Sequence, residues 1–151
     1  MSWTTFSDFV LDQVFGYQSA NKLKNNAESL LAFRLQRNLG GSRENAVVGS
    51  GALDPYEYRD AELDSTKLGG LSIRARVETK TSDVVTSVQP KIRNVTDGAD
   101  LVLGTSHTNT SFTEELLAMT LTAGTKKYRL MLVTNNATNP VFGFGSIESY
   151  L

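Results

Sequence analysis

His107 is the single histidine of the chain, and there is no cysteine. Thiol catalysis, disulfides and Cys-based zinc sites are therefore excluded. A Ser-His-Asp site would have to run through His107, which sits in Gly104-Thr105-Ser106-His107-Thr108-Asn109. Adjacency in sequence does not make Ser106 and His107 a nucleophile and base, because the base must approach the hydroxyl in space. There is no Gly-x-Ser-x-Gly elbow. His107 reads as a surface residue of a polar segment. Asp97-Gly98-Ala99-Asp100 lacks the alternating ligands and closing Glu of a calcium loop, and reads as a β-turn. Glu114 and Glu115 fall on opposite faces of a strand, so they cannot face one another as acid and base. Gly40-Gly41-Ser42 and Gly49-Ser50-Gly51 lack the Gly-Lys-Ser/Thr ending of a phosphate loop and read as hinges.

Two surface constellations remain. Arg74, Arg76, Lys91 and Arg93 could line one basic face, although solvated outward positions of alternating strands explain them more simply. Tyr56, Tyr58, Phe112 and Tyr128, among Asn and Asp, could bind carbohydrate, although aromatics at strand spacing usually fill a core. The residues therefore predict no catalytic group, no metal and no cofactor, hence no enzyme.

The elements that would position these residues follow from periodicity. The chain has 151 residues, 40% of them hydrophobic and 21% charged, enough for one domain plus an appendage. The net charge of −1 gives no field for nucleic acid or an anionic membrane, so neither is expected as a partner. The opening Met1-Ser2-Trp3-Thr4-Thr5-Phe6-Ser7-Asp8 lacks a basic region and is not a secretory signal. Synthesis in a cytoplasm is expected. No run approaches the roughly 20 apolar residues of a membrane span.

Residues 1–20 are dense in rings, with Trp3, Phe6 and Phe9, and need a surface to bury them. Residues 19–39 read as one helix. Leu23, Ala27, Leu30 and Leu31 form its apolar stripe, and Gly40-Gly41 its stop. Residues 1–45 then form an N-terminal arm and helix serving as anchor. Residues 46–68, with Gly49, Gly51, Pro55 and scattered acids, read as a linker or extended arm. From residue 69 the period is two. Leu71, Ile73, Ala75 and Val77 alternate with polar residues, and Val84, Thr86 and Val88 continue until Pro90 ends or bulges the strand. Further runs precede the turn at Asp97-Gly98 and follow at 101–103, 117–121, 128–133 and 141–147. Six to eight short strands with no helix between them predict an antiparallel β-sandwich or jelly roll over 69–151.

The N-terminus resembles a module at the start of many tailed-phage virion proteins. Such modules open on Trp-Thr and an aromatic or Pro-rich tract, then enter a short Asn- and Leu-containing helix. The matching residues are Trp3-Thr4-Thr5-Phe6, Val14, Ser19-Ala20-Asn21-Lys22-Leu23 and Asn25-Asn26-Ala27-Glu28-Ser29-Leu30, with Asn and Leu in altered order. The resemblance spans about 30 residues and carries over no catalytic or binding residue. It implies a virion structural protein without enzymatic activity, either a capsid cement or decoration protein or a tail-fibre-like one. Because 151 residues leave room for an anchor and one compact domain but no long shaft, the cement reading leads. A tail fibre or tail tip binding host carbohydrate or receptor is the alternative. Fibre and decoration proteins are commonly trimers. The resemblance thus implies a homotrimer, contacting the major capsid protein or other virion proteins through Trp3, Phe6, Phe9, Leu23, Ala27, Leu30 and Leu31.

Overall fold

The computed structural model describes residues 36–55, 60–68 and 71–150. Residues 35–151 form one compact unit. The strands are β1 (Gln36–Val47), β2 (Gly51–Leu53), β3 (Ala61–Asp64), β4 (Ser72–Thr81), β5 (Val88–Asn94), β6 (Ala99–Leu103), β7 (Thr113–Met119), β8 (Thr125–Thr134) and β9 (Val141–Tyr150). One sheet has the order β1-β9-β4-β7 and the other β2-β8-β5-β6, with β3 also on β8. β2 and β3 lie in tandem along one edge of β8, from Gly51↔Thr134 to Asp64↔Thr125. Taken as one interrupted strand, they complete eight strands in the orders 1-8-3-6 and 2-7-4-5. That is an antiparallel jelly roll. No helix among the described residues is long and apolar enough to cross a membrane.

Alternation decides the two faces of each strand. In β4, Ile73, Ala75, Val77, Thr79 and Thr81 are buried, while Ser72, Arg74, Arg76, Glu78 and Lys80 face outward. In β8, Tyr128, Leu130, Leu132 and Thr134 point inward. The inner layer is completed by Leu39, Leu63, Val88, Ile92, Leu117, Met119, Val141 and Ile147. Every buried side-chain nitrogen and oxygen among the described residues has a hydrogen-bond partner.

The sandwich starts earlier than its period-two pattern announces. Residues 36–39, expected to end the helix, open β1, with Gln36 opposite Glu148 and Asn38 opposite Ser146. Gly40-Gly41 does not stop a helix. Gly41 (φ 83°) sits at an irregularity of the β1–β9 ladder, and a Cβ there would land on the Gly143 carbonyl. A left-handed glycine serves a helix C-cap and a strand bulge alike, so the residue type does not tell them apart. Nor is 46–68 a free linker. β2 and β3 supply the edge of the second sheet, and Arg129 fastens the segment between them. Its Nε and Nη1 reach Asp60 Oδ1 and Asp54 Oδ2, both at 2.7 Å. The hydrogen bond to Asp60, then the neighbouring acids' charge, push the Arg129 pKa further up against its partial desolvation. The boundaries 1–45, 46–68 and 69–151 thus give way to a sandwich from β1 onward. The interface residues Trp3, Phe6, Phe9, Leu23, Ala27, Leu30 and Leu31 lie outside the described residues.

Two further departures have local causes. Val84 does not continue a strand, because the Asp83 carboxylate accepts hydrogen bonds from Val85 N (2.9 Å), Thr86 N (2.7 Å) and Thr86 Oγ1 (3.0 Å). This closes a compact loop and leaves Val84 and Val85 on the surface. Pro90 does not end β5 either. It lies within the strand opposite Leu132, and its carbonyl accepts from Gly104 N at 2.8 Å. The return bond that proline cannot donate is replaced by the Gln89 side chain, whose Nε2 donates to the Gly104 carbonyl at 2.6 Å.

These placements predict which fragments fold. A fragment beginning at Lys67 lacks β1, β2 and β3, and so loses an edge strand from each sheet. It should show no cooperative melt by circular dichroism, while residues 35–151 should melt cooperatively.

Candidate functional site

The loops joining β1 to β2, β4 to β5, β6 to β7 and β8 to β9 gather at one end of the sandwich, as the pairs Val47↔Val141, Thr81↔Val141 and Val88↔Thr134 require. Backbone bonds tie them together: Ser82 N to Pro140 O (3.0 Å) and Thr81 N to Asn109 O (2.9 Å). Ser87 N also donates to Asn135 Oδ1 at 2.8 Å.

His107 belongs to this end, and it is not the surface residue that its polar segment suggests. The residue is half-buried, and its backbone exchanges both bonds with Val88 of the second sheet, N to O at 3.0 Å and O from N at 2.9 Å. Its ring reaches the first sheet. Nδ1 accepts from Asn109 N at 3.2 Å, which assigns the proton to Nε2, and Nε2 donates to the buried Thr79 Oγ1 at 2.8 Å. Burial holds the imidazole below its ordinary pKa, against a smaller opposing pull from Glu115. Among the described residues no serine or carboxylate completes a nucleophile–base pair with it: the ring's hydrogen-bond partners there are a threonine hydroxyl and a backbone amide.

The other candidates are likewise dispersed. Asp97 lies in the turn after β5 and meets Lys126 at 2.6 Å, while Asp100 meets Lys91 and Arg93, each at 3.0 Å. Hydrogen bonds from those lysines hold both carboxyls below their usual range. Glu114 faces out beside Arg76 at 3.3 Å, whereas Glu115 accepts from Thr105 N at 3.0 Å. Among the described residues no three His, Cys, Asp or Glu side chains gather as metal ligands. The basic quartet does not form one face. Arg74 and Arg76 stand on the outside of the first sheet, Lys91 and Arg93 on the outside of the second, and each is paired with an acid. Of the aromatic set, Tyr128 is a core residue, 1% exposed, whose burial raises its pKa. Tyr56 and Tyr58 lie outside the described residues.

Of the described members of that set, Phe112 reaches a ring-bearing surface. The outer face of the first sheet carries Phe142 and Phe144 from β9, with Phe112 edge-on to Phe144 at 5.8 Å. Lys80 Nζ lies 4.6 Å from the Phe142 ring and 4.9 Å from that of Phe112. Further along, Arg74 meets Glu148 at 2.6 Å and lies over the Tyr150 ring at 4.9 Å. Between these groups a cavity of about 380 Å³ opens, lined by Asn38, Arg76, Glu78, Phe144, Gly145 and Ser146. It offers a ring face, an amide, a hydroxyl and charged groups of both signs. The signal for it was Val141-Phe142-Gly143-Phe144-Gly145: glycines on one parity send both phenylalanines to the other face.

No protein-family model and no curated protein matches the chain. Among solved structures, it is similar to a carbohydrate-binding module, CBM36, in complex with calcium and xylotriose. The identity is 16%, the TM-score 0.47, and the match covers 77% of this chain and 99% of that one.

The His107 contacts set a pH dependence. A group held neutral in the fold but protonated at 6.5 when unfolded lets the unfolded chain bind more protons as pH falls. Stability should be level above 6.5, decline as pH drops towards the lower folded pKa, then level off. Asp64, Asp83, Asp97 and Asp100 give a separate loss below their ordinary 3.8, because their folded pKa values are depressed. Urea melts across pH should show the upper step in wild type and lose it in His107→Gln. His107→Ala, which leaves the Thr79 hydroxyl without its partner, should cost about 1–3 kcal/mol at neutral pH.

Proposed function

We propose that the chain is a non-enzymatic structural protein of a tailed-phage particle, and within that class an accessory capsid protein of the cement or decoration kind. The observation that carries the proposal is the strand order 1-8-3-6 over 2-7-4-5. Jelly rolls of this kind recur in viral capsid and lectin domains. The Trp3-Thr4 module resemblance adds the particle. Dispersal of His107, Asp97, Asp100, Glu114 and Glu115 into unrelated pairings supports a role without turnover. On this reading the protein is made in the host cytoplasm and ends in the virion. The residues that precede β1 attach it to the shell and the sandwich, β1 included, stands on the surface.

A second reading has its own observation. The cavity beside Phe144 combines a ring face with the amide of Asn38, the hydroxyl of Ser146 and the charges of Arg76 and Glu78. Sugars present apolar CH faces and rows of hydroxyls, which such a set matches. A tail protein binding host carbohydrate would use it.

One set of measurements separates the two. Deleting residues 1–17, or Trp3→Ala, should release the protein from particles while the sandwich still melts normally. A lost aromatic anchor commonly costs about 2 kcal/mol, roughly thirtyfold in affinity. Arm variants that stay bound would end the cement reading. For the sugar reading, wild type should bind members of a glycan array, and Phe144→Ala should weaken them at least about tenfold, some 1.4 kcal/mol.

A further inference from the structure

We infer that β7 is a self-association edge, which pairs antiparallel with β7 of a second copy about a two-fold axis at Leu116. A sheet edge presents unpaired N–H and C=O groups, and proteins that stay monomeric disable it by bulges, breaks, prolines or charged side chains, lysine above all. Three of the four edges here are disabled. β1 has two irregularities in its ladder with β9. The edge formed by β2 and β3 is interrupted between Leu53 and Ala61 and carries Pro55 in the gap. β6 has five residues and a register shift opposite Ile92–Arg93. β7 has no bulge, break or proline, and its charges, Glu114 and Glu115, are confined to its first half. Its seven residues, Thr-Glu-Glu-Leu-Leu-Ala-Met, run in unbroken register from Thr79↔Thr113 to Ile73↔Met119, with no lysine, proline or glycine. Among the described strands it pairs with β4 alone. Leu116 stands on its outer face 45% exposed.

The charge pattern selects a second copy, and one register. Both acids of β7 lie in its first half and the second half is uncharged. Parallel in-register pairing would stack acid on acid. Antiparallel pairing centred on Leu116 sets Leu116 on Leu116, Glu114 on Ala118, Glu115 on Leu117 and Thr113 on Met119. All seven residues are then paired, no like charges are opposed, and outer face continues into outer face. Shifting the centre to Glu115 or Glu114 would put that acid against its own copy. The first sheets of the two copies would join into one eight-stranded sheet with Leu116 packed at its middle.

Because the chain contains no cysteine, the register can be trapped directly. Directly opposed residues of antiparallel strands lie about 4.5–5.5 Å apart at Cα, within disulfide reach of about 4.4–6.8 Å. In the full-length protein, Leu116→Cys should form a disulfide-linked dimer under mild oxidation at least about ten times faster than Val84→Cys. Val84 is the control because it is 73% exposed and lies off this edge. By sedimentation, wild type should contain an even number of 16.5 kDa chains, and Leu116→Lys should halve its mass without altering its circular dichroism. Ala118→Glu, which opposes Glu114, is a second disrupting variant and should do the same. A wild-type mass unchanged by both substitutions, or a Leu116→Cys variant that cross-links no faster than Val84→Cys, would overturn the inference. A trimer insensitive to both, held by its N-terminal residues, or pairing of β7 with a different protein only, would do so as well.

Discussion

The interlock of β9 with β8 across the core sets the distance between the two sheets. Gly143 and Gly145 occupy inward positions of β9, where a Cβ would come within 2.7 Å of a Leu132 methyl and 3.0 Å of a Val77 methyl. Leu132 and Leu130 of the opposite sheet fill that space and are fully buried. Any larger residue at 143 would push the sheets apart along two central strands, because interiors are packed as densely as crystals and do not yield evenly. The same parity fixes the outside. With glycine inward at 143 and 145, Phe142 and Phe144 have only the outer face, where Lys80 and Phe112 pack against them. The aromatic surface is thus a consequence of how the core is closed.

Strand pairing follows an equally simple plan. β5 with β6, β4 with β7, β2 and β3 with β8, and β1 with β9 are nested antiparallel partners, so the sandwich from β1 to β9 is one long hairpin with its tip at Asp97-Gly98. Rolling that hairpin adds β4–β9 and β5–β8, which turn four ribbons into two sheets. Both added contacts join residues distant in sequence, a topology that folds slowly. The tip is secured by Asn94, whose amide donates to Asp97 and Thr122, and by Lys126 on Asp97. At the opposite end His107 bridges the sheets.

How much of this was legible depends on the range of the interaction concerned. The antiparallel sandwich was readable, since alternation in β4, β8 and β9 follows from burying one face. The Asp97-Gly98 turn and the opposed faces of Glu114 and Glu115 were readable too, being local. What was missed depends on partners far along the chain. Nothing in the local composition around the glycines at 40 and 41 distinguishes them from a helix stop; only the pairing of this stretch with Phe144 and Gly143 does so. The acids at 54 and 60 look solvated until Arg129, 75 and 69 residues away, is brought to them. His107 looks exposed until Thr79 and Val88 arrive from different sheets. By contrast, Asp83-x-Val85-Thr86 is a local motif whose carboxylate could have been read as a loop closer against the apparent alternation.

The charges of the sandwich constrain how it can recognise anything. Arg74, Arg76, Lys91, Arg93, Lys126 and Arg129 each meet a carboxylate within 3.3 Å. Among the described residues both sheet faces therefore carry charges of both signs in close pairs, which leaves screening by salt little long-range attraction to remove. Contacts made by this domain must draw on short-range terms: ring faces, backbone edges and apolar side chains. Val84 and Val85, 73% and 70% exposed, stand on a loop whose backbone amides are held by Asp83 and whose ends are bonded to Pro140 and Asn135. A surface so fixed loses little conformational entropy when covered, so a small apolar area there contributes more to association than the same area on a mobile loop. Rigidity, supplied by hydrogen bonds within the loops, takes the place that charge would hold in an electrostatically guided contact.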